Sequence, residues 1–125
     1  MSDKKLQILT ISLSRHLTGH PINDIITKNW SQAPDNQANR FNNVGFDFDG
    51  KNVTGALDQL KETLAGHPWD GILVGWCIRG KPEHTAIFER IMAVCIGFSR
   101  GHPEAKVLFC TGPDNLVEAT LRNFP

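Results

Sequence analysis

The chain lacks the net charge that would draw in nucleic acid or an anionic membrane. Its 13 lysines and arginines balance 13 aspartates and glutamates, which leaves no long-range field to steer such partners. It also lacks any apolar run approaching the roughly 20 residues needed to cross a bilayer, and the N-terminal MSDKKLQ has no apolar signal-peptide core. A cytoplasmic protein with no nucleic-acid or membrane partner is the expectation. Cysteine is scarce: Cys77, Cys95 and Cys110 are odd in number and two lie in apolar runs. That argues against a disulfide framework and for reduced thiols. Cys95 and Cys110 read as small core residues.

The signatures of the commoner small α/β chemistries are missing as well. No GxGxxG follows a strand, and neither a Walker loop nor a CxxC occurs, so dinucleotide, NTP and thioredoxin-type chemistry lose their usual support. A phosphate-accepting receiver domain needs clustered acids after its first strand and an aspartate ending its third, to hold Mg²⁺. Those positions read Ser14-Arg15-His16 and Trp76-Cys77. A flavin-phosphate cradle needs a hydroxyl- and glycine-rich loop whose amides face the phosphate, and SRHLTGH has one glycine. His16 and His20 are four apart but sit beside Gly19 and Pro21, so helical ligand spacing does not apply. Neither a metal nor a tightly held cofactor is expected.

What is present is enough chain for one domain with one core, 125 residues. Leu6 to Leu13 (LQILTISL) is apolar and β-branched, too short for a helix, and reads as a central strand. Ile22, Ile25, Ile26 and Trp30 have helical spacing behind Pro21. Asp35 to Asn43 reads as a short helical piece, although its asparagines favour turns. Val44 to Phe48 alternates and ends at the Asp49-Gly50 turn, the pattern of a short edge strand. Val53, Leu57, Leu60 and Leu64 form a helical stripe between the N-cap Asn52 and the stop Gly66. Gly71 to Trp76 is continuously apolar, as a strand covered on both faces must be.

A turn over Cys77 to Lys81 then leads to Pro82 and a helix from Glu83 to about Ser99. Its apolar stripe (Ile87, Ile91, Val94, Cys95, Phe98) is widened by Phe88, Met92 and Ile96. Either a small sheet buries a broad helix face, or the excess is a homodimer interface. Lys106 to Cys110 is the last strand, and Pro113 and Asp114 signal a final helix carrying Leu116, Val117, Leu121 and Phe124. Right-handed crossovers and burial of the two most apolar strands give a four-stranded parallel sheet ordered 2-1-3-4, a flavodoxin-like α/β domain with helices on both faces.

In that order a ligand is expected between the carboxyl ends of strands one and three. They deliver Ser12, Ser14, Arg15 and His16 from one side and Trp76, Cys77 and Arg79 from the other, with Thr111 close by. Arg79 before a helix start suits a carboxylate or phosphate; the alternative is a surface arginine pairing with Glu83. Cys77 at a strand end is a candidate nucleophile, His84 and His16 are candidate proton carriers, and Trp76 can wall a pocket against an aromatic ligand.

Two resemblances add to this. The segments DGILVGWCIRGKPEHTAIFERIMAVC and AKVLFCTGPDNLVEATLRNF resemble an uncharacterised family of short single-domain α/β proteins with a Gly-x-x-x-Arg, Pro-Glu-His and Phe-Glu pattern. That resemblance implies the same fold, points to Arg79, Pro82, Glu83, His84, Glu89, Thr111 and Pro113, and brings no activity with it. Small residues are usual there where this chain has Trp76-Cys77. GWCIRGKPEH is also similar to the Gly-x-Val-Ile-Arg-Gly-x-Thr-Pro-His turn of lumazine synthase, which implies His84 as an aid to proton transfer in a condensation; here Glu83 stands between Pro82 and His84. The sequence thus supports a metal- and cofactor-independent enzyme or binding protein for an anionic or polar aromatic small molecule. Its rival is a non-catalytic dimeric module using the 83–99 helix.

Overall fold

The computed structural model describes residues 5–112 and 115–125. Strand β1 (Leu6–Ser12) occupies the middle of the sheet, with its last five residues buried and apolar side chains on both faces. Leu9, Ile11 and Leu13 enter one core and Ile8 the other, the alternation a pleated strand imposes. β2 (Phe41–Asp47) pairs along one edge of β1, with Leu6 opposite Phe41 and Ser12 opposite Asp47. On the other edge lies β3 (Gly71–Val74), with Ile8 opposite Gly71, and β4 (Lys106–Phe109) lies beyond it. All pairings are parallel and the order is β2-β1-β3-β4, as right-handed crossovers require.

β2 begins at Phe41 rather than Val44. Phe41 is buried against Trp30, with ring centroids 5.3 Å apart, and the neighbouring Asn42 side chain donates to the Gln7 side-chain oxygen at 2.7 Å across the strands. An edge strand tolerates such asparagines because their amides find partners there. The short helix before it, α3, is correspondingly confined to Asp35–Ala38.

Four helices complete the layers. α4 (Val53–Ala65) and α6 (Thr85–Gly101) cover one face with Leu60, Leu64, Ile91 and Cys95. α2 (Ile22–Trp30) and α7 (Leu116–Asn123) cover the other with Ile22, Ile26, Leu116 and Ala119. Asn52 caps α4 as expected, its side chain accepting from the Gly55 amide. Burial pushes the Cys95 thiol up to about 12, as an apolar surrounding must. Most of the wide stripe on α6 packs inward: Ile87, Phe88, Met92, Val94 and Phe98 lie half-buried against the core, and Ile96 stays 48% exposed. Among the described residues no helix is long and apolar enough to cross a membrane.

Two helix starts are capped by side chains from other elements. The amide of Ile22 donates to Asp47 Oδ1 at 2.9 Å, so the last residue of β2 caps α2. Gly45 lets α2 lie that close, since a Cβ there would meet Ile22 Cγ2 at 2.5 Å. At α7 the amide of Leu116 donates to Asn29 Oδ1 at 3.1 Å, while Asn29 Nδ2 donates to the Ile25 carbonyl at 2.9 Å. The start signals Pro113 and Asp114 lie outside the described residues. Asn29→Ala would leave the buried Leu116 amide without its partner, and we expect the unfolding free energy to fall by about 1–3 kcal/mol. Urea denaturation measures this; an unchanged midpoint would show that the bond contributes nothing net.

Candidate functional site

Chain crossovers leave β1 and β3 toward opposite faces, so the ends of these two strands form the switch point of the sheet. The two tips approach closely. The Gly75 amide donates to the Ile11 carbonyl at 2.8 Å, and a Cβ on Gly75 would meet that carbonyl oxygen at 2.9 Å. The chain then enters a helical turn at once, α5 (Trp76–Arg79), where the sequence suggested strand through Trp76 and an irregular turn from Cys77. A four-residue helical turn is too short to announce itself by periodicity. On the β1 side, α1 (Ser14–Thr18) follows directly and ends at Gly19, whose φ of 81° is the left-handed stop that glycine adopts freely.

Ser12, Ser14 and Cys77 meet at this point. Cys77 Sγ lies 3.4 Å from Ser12 Oγ and accepts from the Leu13 amide at 3.3 Å. Ser12 Oγ accepts from the Ser14 amide at 3.0 Å, and the Ser14 hydroxyl donates to the His20 carbonyl at 2.8 Å, closing the loop over the strand end. Thr10, Ser12, Cys77 and Cys110 line a cavity of about 90 Å³ beneath the tips. Ser14, Ile25, Trp76 and Cys77 line it and also line a groove of about 700 Å³ that runs outward between the α1–α2 segment and α5. Leu17, Thr18, His20, Asp24, Lys28, Asn29 and Lys81 complete that groove. Its volume lies in the range of about 300–1,000 Å³ usual for small-molecule sites. Trp76, 37% exposed, supplies an aromatic wall. The Cys110 thiol at the inner end is held up by burial, opposed by surrounding backbone amides and the Arg79 charge.

Arg79 stands elsewhere. It is the last residue of α5, not a residue preceding a helix start, and a 3₁₀ turn (Pro82–His84) comes between it and α6. Its guanidinium donates to the Cys110 carbonyl at 2.9 Å and lies over the rings of Trp76 (5.0 Å) and Phe109 (5.4 Å). Among the described residues it forms no ion pair with Glu83, which is exposed on the 3₁₀ turn, and its Nε is buried without a hydrogen-bond partner. This arginine ties the β3 turn to the end of β4.

The expected proton carriers also separate. His84 Nδ1 is 3.0 Å from the Cys77 carbonyl, folded back over its own turn. His16 and Arg15 lie toward β2, where they line a hollow of about 360 Å³ with Asp47, Asp49 and Lys51. Thr111 is exposed after β4, and its hydroxyl accepts from the Asn115 side chain. The groove residues that sequence reasoning missed are Leu17, Thr18, His20, Asp24, Ile25, Lys28, Asn29 and Lys81. A signal existed for two of them: Ile25 and Lys28 are three apart on one helix and so share a face. A further hollow of about 460 Å³ lies between α4 and α6, lined by Leu64, Val94, Gly97 and Phe98 among others. Among the described residues no group of three or more histidines, cysteines or acids is placed to hold a metal.

No family model, curated protein or solved structure matches the chain.

Proposed function

We propose that the chain binds a small aromatic molecule with an anionic group in the groove between the α1–α2 segment and α5. The observation that carries this reading is that a groove of about 700 Å³ opens at the switch point, with Trp76, Leu17 and Ile25 as apolar walls and two lysines, Lys28 and Lys81, against the one carboxylate of Asp24. The apolar walls supply affinity and the ammonium groups select charge and orientation. The anion partners are therefore the two lysines, and Arg79, bound to the Cys110 carbonyl, serves the fold. The reading is of binding without a chemical step; proton transfer to a ligand would fall to His20, the histidine on the groove wall among the described residues.

Titration with anilinonaphthalene sulfonate, an aromatic anion that fluoresces when bound, tests this. Lys28→Glu with Lys81→Glu should weaken binding by about tenfold or more, the size of one lost charge-assisted contact plus repulsion. Arg79→Ala should change the affinity little. Gly97→Glu, which puts a charge into the α4–α6 hollow, should leave the titration as it was. Loss of binding with Gly97→Glu or Arg79→Ala, and none with the lysine reversals, would contradict the assignment. The dimeric-module reading keeps one supporting observation, the exposure of Ile96 beside the exposed Ala93 and Gly97 on α6.

A further inference from the structure

Charges of both signs line the groove, and α2 supplies one of each. Asp24, Ile25, Lys28 and Asn29 all lie along it, because residues four apart share a helix face. An acid four residues before a lysine is also the spacing and order in which such side chains pair best along a helix. Asp24 and Lys28 nevertheless form no ion pair, and neither do Asp24 and Lys81; among the described residues the ion pair present joins Arg122 to Glu118 on α7. Both α2 side chains are exposed, so both are available to a ligand. A ligand carrying an anion alone would meet the lysines but also face the Asp24 carboxylate, a repulsion that selects against it. A ligand that carries an ammonium as well meets every one of these charges.

We propose that the ligand of the groove is a free aromatic α-amino acid, held as its zwitterion. The inference rests on the groove reading above and names the chemical class within it. The ring packs against Trp76, Leu17 and Ile25, the carboxylate sets one oxygen toward Lys28 and the other toward Lys81, and the ammonium faces Asp24. The amino and carboxyl groups of such a molecule stand on one carbon, which matches an acid and a base one helical turn apart on the same face. In a peptide the two groups lie at opposite ends, and only one of them reaches this place. Selectivity for the amino acid therefore resides in Asp24, since the lysines and the apolar walls serve any aromatic acid. Asp24 also lies in the first turn of α2, where its charge complements the helix dipole. That contribution to stability is separable, because it acts with no ligand present.

Three small molecules separate these contributions by displacing anilinonaphthalene sulfonate: phenylalanine, phenylpropionate, which lacks the ammonium, and phenethylamine, which lacks the carboxylate. Phenylalanine should displace the dye at a concentration about tenfold lower than either analogue, the factor that one lost charge-assisted contact gives. Asp24→Asn should abolish the advantage of phenylalanine over phenylpropionate without weakening phenylpropionate, and thermal melting of that variant without ligand reads the helix contribution alone. Equal displacement by phenylalanine and phenylpropionate, or no displacement by phenylalanine, would overturn the proposal, while dye binding by the wild type leaves the groove reading in place. That comparison uses the unaltered chain, so it decides the matter even if Asp24→Asn fails to fold. An advantage of phenylalanine that Asp24→Asn retains in full would also overturn it. Absence of dye binding by the wild type removes both.

Discussion

Trp76→Ala is expected to weaken anilinonaphthalene sulfonate binding by about thirtyfold while leaving the unfolding transition nearly where it was. A tryptophan that walls a binding groove contributes about 2 kcal/mol or more to the ligand it covers, and that figure corresponds to the expected factor. The ring contributes less to the fold. It is 37% exposed, and its contacts include Gly80 and the Arg79 guanidinium at 5.0 Å, a partly exposed cation–π contact of about 1 kcal/mol. Trp30 and Trp69 are buried at 8% and 6% exposure, so their unshifted emission reports that the variant is folded. Fluorescence titration alongside thermal melting makes the comparison, and equal affinities for the two proteins would remove Trp76 from the site.

Leu60→Ala should do the reverse, lowering the unfolding free energy by about 2–5 kcal/mol with no change in dye affinity. Leu60 is fully buried on α4, packed into the core that also contains Leu9, Ile11 and Ile72. Truncation removes its transfer free energy and leaves a void that a close-packed interior fills only in part. The groove wall formed by α2 packs against the core on the other face of the sheet, so it does not depend on that contact. Urea denaturation should show a lower midpoint at an unchanged slope. A loss of less than about 1 kcal/mol would mean that α4 can collapse onto the void.

The pair of variants also shows why the sequence disclosed the fold more fully than the site. The sheet order follows from the two stretches richest in apolar strand formers, LQILTISL and GILV, which must be interior, and from the handedness of crossovers. Neither depends on detail. The stripe Val53, Leu57, Leu60, Leu64 is equally robust, because helical spacing over thirteen residues is a repeated signal. β2 was obscured at its start, because Asn42 and Asn43 look like turn residues and only pairing with β1 makes them strand.

The site depends on single long-range contacts that leave no local trace. The hydrogen bond from the Arg79 guanidinium to the Cys110 carbonyl, 31 residues on, is one such contact. The approach of His84 Nδ1 to the Cys77 carbonyl is another. Asn29 and Asp47 looked unremarkable, yet they cap helices 87 and 25 residues away in sequence. The convergence of Ser12, Ser14 and Cys77 was readable because strand-end positions follow from topology alone; the direction of each longer side chain does not.

Amide and indole chemical-shift mapping of the nitrogen-labelled chain during titration with anilinonaphthalene sulfonate tests the location of the site most directly, because it assigns binding to a place without altering any residue. The largest shifts are expected on Ser14, Ile25, Lys28, Cys77 and the Trp76 indole, with Val94 and Gly97 unmoved. Shifts concentrated on Val94, Gly97 and Phe98, with the Trp76 indole unchanged, would place the ligand between α4 and α6 and contradict the groove assignment.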